Sequence, residues 1–225
     1  MASDYDSFPA SVYAQSVLAP DLDVYRQHFS APLHAINLAH CVMLAERGLL
    51  QSADAGAILD ALIGIDRERP WANQLFDGSF EDLFFLIEQE LGRRVGDETA
   101  GRLHTGRSRN DMEHTMFRIQ LRARLLALLR RYEDMADQFL ARAETGIDET
   151  VLLYTHGQPA QVSVLGHYLG AAIEFTLRDM TRILAALEEV NHCPMGAAAI
   201  TTSGFDLNRH RVAELLGFPA IVENS

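Results

Sequence analysis

The segment LHTGRSRND, Leu103 to Asp111, gathers two arginines, two hydroxyls, an amide and a histidine around one glycine. It then runs straight into a long apolar-periodic stretch. Ser108 stands where a helix N-cap belongs, with Asp111 three residues on. From there Met112, Met116, Ile119, Ala123, Leu126, Met135 and Phe139 recur at helical spacing. That pattern predicts one helix from Ser108 to about Glu144. The backbone N–H groups of its first turn would lie beside Arg107 and Arg109, a place that favours an anion. Thr105, Ser108 and Asn110 add donors suited to a carboxylate. On these residues alone a solvated loop with arginines paired to surface acids is an equally good reading.

Helical periodicity extends outward in both directions. Leu33, Ile36, Ala39, Val42 and Met43 form one stripe, with Gly48 as a C-terminal stop. Ser52 is placed to cap a second helix facing inward with Ala57, Ile58, Ala61, Leu62 and Ile65. GSFEDLFFLIEQELG opens with Ser79 three residues before Asp82 and closes at Gly92. A second long helix is expected from near Val162 to Val190, with Leu165, Leu169, Ile173, Leu177, Met180, Leu184 and Leu187 turned inward. A short helix should follow Asp206 and end at Gly217. No alternating strand longer than a few residues is evident, and there is no internal repeat. The expectation is an all-α fold: a helical N-terminal region, residues 1–107, leading into long bundle helices over 108–225. Two long helices with such wide apolar faces need more helices than the chain offers after residue 190, from other copies or from further sequence.

The bulk composition bounds the function. The 225 residues carry a formal charge of −12 and are 48% hydrophobic, ordinary for a globular protein but not for one gripping nucleic acid non-specifically. Local arginines can still reverse the field inside a cleft. The two cysteines, Cys41 and Cys193, have no metal-like spacing, which fits a reducing cytoplasm. The start, MASDYDSFPA, shows no targeting segment, and no apolar run reaches membrane-spanning length. The histidines form no recognisable metal motif, so no metal is expected. His40, beside an apolar stripe, reads as a satisfied core histidine.

Two further stretches concentrate polar chemistry. YTHGQPAQVSVLGH, Tyr154 to His167, places Thr155, His156, Gln158 and Gln161 in a Gly/Pro-containing segment before the second long helix. An imidazole there suits a general acid or base, since its ordinary pKa is about 6.5. On these residues alone a bond from His156 to a helix-end carbonyl is the better reading. NHCPMGAAAITTSGFDLNR, Asn191 to Arg209, is rich in small residues that permit close backbone approach. It reads as a cleft wall or as a packed connection.

In this order the stretches resemble the fumarase/aspartase superfamily, and within it the argininosuccinate lyases. HTGRSRND looks like that family's first conserved region. THGQPAQ with Gly166-His167 resembles the second, and CPMGAAA with RVAELLGF and ENS the segment beyond. EDLFFLIEQELG resembles the acidic helix before the first region, and the likeness covers about residues 30–225.

The resemblance implies cleavage of argininosuccinate to arginine and fumarate by anti-elimination through a stabilised carbanion. It implies no cofactor. Asn110 and Thr155 match substrate-contacting positions. His156 matches the histidine of proton transfer, and Thr105, Ser108, Arg109 and Gln158 fall around the carboxylates of a small dicarboxylate substrate. The family is homotetrameric, with each active site assembled from three subunits.

The sequence also departs from the family. Phe84 stands where the acidic helix usually carries histidine, TTSGFDLNR differs from the usual pattern, and the first thirty residues match poorly. The family's serine-bearing loop, Gly-Ser-Ser-x-Met-Pro-x-Lys-x-Asn, has no counterpart among these residues. The expectation is therefore the N-terminal half of a lyase. The alternatives are a sister lyase acting on another succinyl-type substrate, favoured by Phe84, and a non-catalytic relative that kept the fold and part of the binding site, favoured by the missing serine loop.

Overall fold

A computed structural model describes residues 9–224. The reading of a start free of targeting signals rests mainly on Met1–Phe8, outside the described residues. Two compact units divide the chain: one takes the residues up to Gln120 together with those from Asn191 onward, the other Leu121–Val190. This differs from a division at residue 107/108, because the chain returns to the first unit after the second long helix.

In the first unit, α1 (Ser11–Tyr13), a π-turn over Ala14–Leu18 and α2 (Ala19–His28) lead into α3 (Ser30–Glu46) and α4 (Ser52–Glu68). Then follow α5 (Leu83–Val95), α6 (Asp97–Arg102) and the start of α7 (Arg109–Thr145). Most of the expected stripe positions form its core: Leu33, Ile36, Met43, Ile58, Leu62 and Ile65 are essentially inaccessible to water, as are Leu83, Met112 and Met195, whereas Ala57, expected to face inward, is exposed. Burying side chains of this size contributes about 1.5–3 kcal/mol each.

Helix boundaries follow local chemistry. Gly48, at φ +69°, closes the end of α3. Ser52 is the first residue of α4 and makes no cap; Gln51 holds the N-cap position in extended backbone. Asp82 caps α5 itself, accepting from Phe85 N at 3.1 Å, while Ser79 donates its amide and hydroxyl to Asp77. α5 passes through Gly92 to end before Gly96, at φ +86°. A methyl group at Gly92 would stand 2.5 Å from an Asp97 oxygen, so that glycine serves close packing rather than termination.

The return segment carries β3 (His192–Cys193), α9 (Arg209–Leu215) and β4 (Ala220–Ile221), with β3 and β4 pairing in parallel. α9 lies where a short helix was expected, and Asn208 caps it by accepting from Arg211 N at 3.0 Å. Arg211 in turn pairs with Glu46 on α3.

The second unit contains the rest of α7, a β-hairpin and α8 (Leu165–Val190). The hairpin corrects the sequence reading. β1 (Thr150–Thr155) and β2 (Gln158–Val164) pair antiparallel, with Val162 opposite Leu152 and Val164 opposite Thr150. Residues 162–164 are thereby held in the ladder, and α8 starts at Leu165. At that start a Cβ on Gly166 would approach the Ala143 carbonyl at 3.0 Å, so only glycine allows the crossing with the end of α7. Several positions expected to face inward are exposed in the single chain: Leu126 at 43%, Leu177 at 51% and Leu184 at 49%. Among the described residues no helix is long and apolar enough to cross a membrane.

His40 is buried, and its Nε2 lies 2.9 Å from the Thr105 carbonyl oxygen. Burial, reinforced by nearby Arg107, holds its pKa down to about 3. The folded state refuses a proton that the unfolded chain accepts below about pH 6.5, so this contribution is present at neutral pH and lost as pH falls. Burial lowers His34 and His104 as well, with the same sign. Urea unfolding of wild type and His40→Gln at pH 7 and pH 5 checks this. The wild type should lose about 2 kcal/mol more than the variant over that interval.

Candidate active site

The approach to α7 turns tightly at Gly106, at φ +70°, where a Cβ would meet the Leu207 side chain at 2.9 Å. Thr105 anchors the turn by donating its hydroxyl to the Arg102 carbonyl at 2.8 Å. Ser108 is the N-cap. Its hydroxyl oxygen accepts from Asn110 N at 3.2 Å, and its own N–H donates to Asp111 Oδ1 at 2.9 Å. This is a capping box with aspartate in the third helical position.

Asp111 does more than cap. Its Oδ2 accepts from Gly196 N and Ala198 N, each at 2.9 Å. The carboxylate is 3% exposed and joins the entrance of α7 to the small-residue segment. Burial pushes its pKa above the ordinary carboxylate range, opposed by the three amides and by Arg107. Asn110 adds a bond from its side-chain amide to the Ala199 carbonyl at 3.3 Å. Arg209 braces the same segment, donating to the carbonyls of Met195 at 3.0 Å and Val222 at 2.8 Å.

Both arginines of the motif are engaged within the protein. Arg107 is buried, donates to Asn37 Oδ1 at 2.7 Å and lies 6.0 Å above the Phe84 ring. Burial lowers its pKa to about 10. Arg109 faces Glu81 at 3.2 Å, Glu113 at 3.8 Å and Asp82, and stacks over Phe85 at 5.1 Å. Burial raises the Asp82 carboxyl despite that partner. The anions met by the donors of this segment are thus the protein's own: Asp111 at Ser108 N, and Glu81, Asp82 and Glu113 at Arg109. Phe84, 8% exposed, packs against His104 and Phe85.

A cleft of about 500 Å³ opens in the first unit, lined by Asn110, Asp111, His114, Arg118, the Ala197–Ile200 segment and Asn224. The small-residue segment is therefore both connection and cleft wall. It holds Gly196, Ala198 and Thr202 at positive φ, the last two against their intrinsic preference. His114 and Arg118 were not singled out from the sequence. Their signal was the spacing of four that extends from Asn110 along one helix face.

Thr155, His156 and Gln158 lie in the second unit, apart in the chain from Thr105, Ser108, Arg109 and Asn110 in the first. His156 and Gly157 form the two-residue turn between β1 and β2, at φ +50° and +75°. Two successive positive φ values match a type I′ hairpin turn, which favours glycine second and carries His156 at the exposed tip. Thr155 and Gln158 pair with each other at the base of that turn. Gly157 was the local cue to the turn, since the second position of such a turn favours glycine.

A family described as Lyase matches residues 46–225. The chain belongs to this lyase family, the fumarase/aspartase superfamily. It is 46% identical over 223 residues to argininosuccinate lyase 2 of Agrobacterium fabrum, covering 99% of this chain and 44% of that protein. It is 40% identical over 207 residues to argininosuccinate lyase of Methanosarcina acetivorans, covering 92% and 41% respectively. The chain thus spans less than half the length of these relatives. Among solved structures, EDDS lyase in complex with formate aligns with TM-score 0.79 and 33% identity, covering 92% of this chain and 39% of that one. The 3-carboxy-cis,cis-muconate lactonizing enzyme from Pseudomonas putida shares the fold at TM-score 0.68 and 17% identity, with coverage of 95% and 50%.

Asp111→Ala would leave three backbone amides without their acceptor. It should cost about 3–5 kcal/mol in chemical denaturation, whereas Asp111→Asn, which keeps one acceptor, should cost less.

Proposed function

We propose that this chain forms part of a carbon–nitrogen lyase that splits argininosuccinate into arginine and fumarate. The observation carrying this reading is the 46% identity over 223 residues to a protein named argininosuccinate lyase 2, together with the donor-lined cleft at Asn110. In the reaction a proton leaves the carbon beside one carboxylate, and the C–N bond breaks. The bonding pair goes to the guanidinium nitrogen. Negative charge collects on the neighbouring carboxylate in the transition state, where fixed donors stabilise it more than in the ground state.

The assigned roles follow the family motif. His156 delivers the proton to the departing nitrogen. Asn110 and Thr155 contact the substrate, while Ser108, Thr105, Gln158 and Arg109 surround its carboxylates. The serine-bearing loop of the family has no counterpart in these residues, so the proton-abstracting group comes from elsewhere. The enzyme is a cytoplasmic homo-oligomer, a tetramer in the manner of the family. The exposed apolar positions of α7 and α8 support assembly, and Cys41 and Cys193, both free and buried, are compatible with a reducing compartment.

A second reading is a sister lyase acting on another succinyl-amino compound. Phe84 favours it: an apolar ring occupies the position where the family carries histidine. The 33% identity to EDDS lyase points the same way.

Fumarate release, followed across a panel of succinyl-amino compounds, distinguishes the two. Argininosuccinate should rank first, and a different leading substrate would favour the sister lyase. His156→Ala should lower turnover about 10²–10⁴-fold with substrate binding largely kept, and a parallel loss of binding would remove His156 from the proton-transfer role.

A further inference from the structure

The cleft beside Asn110 contains groups that the family motif does not assign. Asn110, His114 and Arg118 are spaced four apart on α7, and all three line the same cleft. Successive members of such a series are about 6 Å apart along a helix axis. His114 is exposed, and it stands between the other two. Asn224 completes the polar lining, opposite a wall formed by Ala197–Ile200.

The lining of the cleft offers hydrogen-bond donors to an anion. Among the described residues its one acidic side chain is Asp111, buried, with Oδ1 occupied by Ser108 N and Oδ2 by Gly196 N and Ala198 N. The other titratable groups lining it are His114 and Arg118, one able to donate and the other cationic. Asn110 and Asn224 are neutral and also donate. The wall facing them is held by left-handed backbone at Ala198 and Thr202, a form of strain that collects at ligand clamps.

We propose that His114 is a specificity-determining residue that contacts the substrate: its ring N–H, with Arg118, holds one carboxylate of a small dicarboxylate whose other carboxylate lies at Asn110. The proposal rests on the lyase reading only for the choice of ligand class. Donors at both ends of the series favour a two-headed acid, because a one-headed acid engages only one end at a time.

The test uses the 225-residue chain, with fumarate as the dicarboxylate probe and propionate as the monocarboxylate control. Binding is followed through the His114 ring protons by NMR, assigned by their loss in His114→Gln. Fumarate should shift these protons saturably, His114→Gln should weaken fumarate binding about tenfold, and propionate should bind the wild type more weakly than fumarate does. Circular dichroism should show both proteins equally folded, since His114 lies outside the core. Fumarate binding with the His114 protons unmoved and the variant's affinity unchanged would overturn the proposal. So would failure of the folded wild type to bind fumarate at millimolar concentration. Saturable shifts would uphold the site even where this chain alone releases no fumarate, since it lacks the proton-abstracting loop. The lyase reading is judged by fumarate release from the enzyme assembled with that loop.

Discussion

The buried carboxylate of Asp111 joins two stretches of chain 85 and 87 residues apart and fixes the geometry of the cleft between them. One oxygen closes the entrance of α7 by accepting from Ser108. The other takes two amides from a segment with little side chain of its own to anchor it. The Ala197–Ile200 wall therefore depends for its position on a charge outside itself. Arg209 supports the same segment from behind through the Met195 and Val222 carbonyls. A methyl group at Gly196 would come within 2.5 Å of the Arg209 side chain, so the brace and the glycine require each other.

Around this clamp the arginines of the motif serve the protein before any ligand. Arg107 lies in the core, bonded to Asn37 and set over Phe84. Its charge is answered at a distance by Glu88 and Asp111 rather than by a direct pair. Arg109 gathers Glu81, Asp82 and Glu113 and so holds the start of α5 against the start of α7. Of the Arg109 partners only Asp82 is largely buried. Removing Arg109 would leave that carboxylate uncompensated, which is more damaging than losing the exposed pair with Glu81. Both arginines of the motif thus have structural partners of their own.

Much of the fold was legible because apolar spacing decides it. The stripes on α3, α4 and the first turns of α7 became the core, and α9 lies where its pattern put it. The β-hairpin was missed because Val162, Val164 and Leu165 also fit a helical stripe, and short apolar runs do not separate the two periods. Within the candidate site, Ser108 as cap was legible from local spacing. The second role of Asp111 was not, because its partners at Gly196 and Ala198 are remote in sequence and donate through backbone. The burial of Arg107 was hidden for a similar reason: nothing in HTGRSRND tells which of two arginines turns inward. His114 and Arg118 escaped notice because only a cleft wall contributed by the return segment gives their helix face a function.

Amide hydrogen exchange at Ser108, Gly196 and Ala198, compared between wild type and Asp111→Asn by NMR, tests the central role of this clamp most directly. If Asp111 holds the cleft, the Ser108 amide and those of Gly196 and Ala198 should be protected in the wild type, and the variant should lose protection at one or both ends of the clamp. Equal protection at all three positions in both proteins would contradict it.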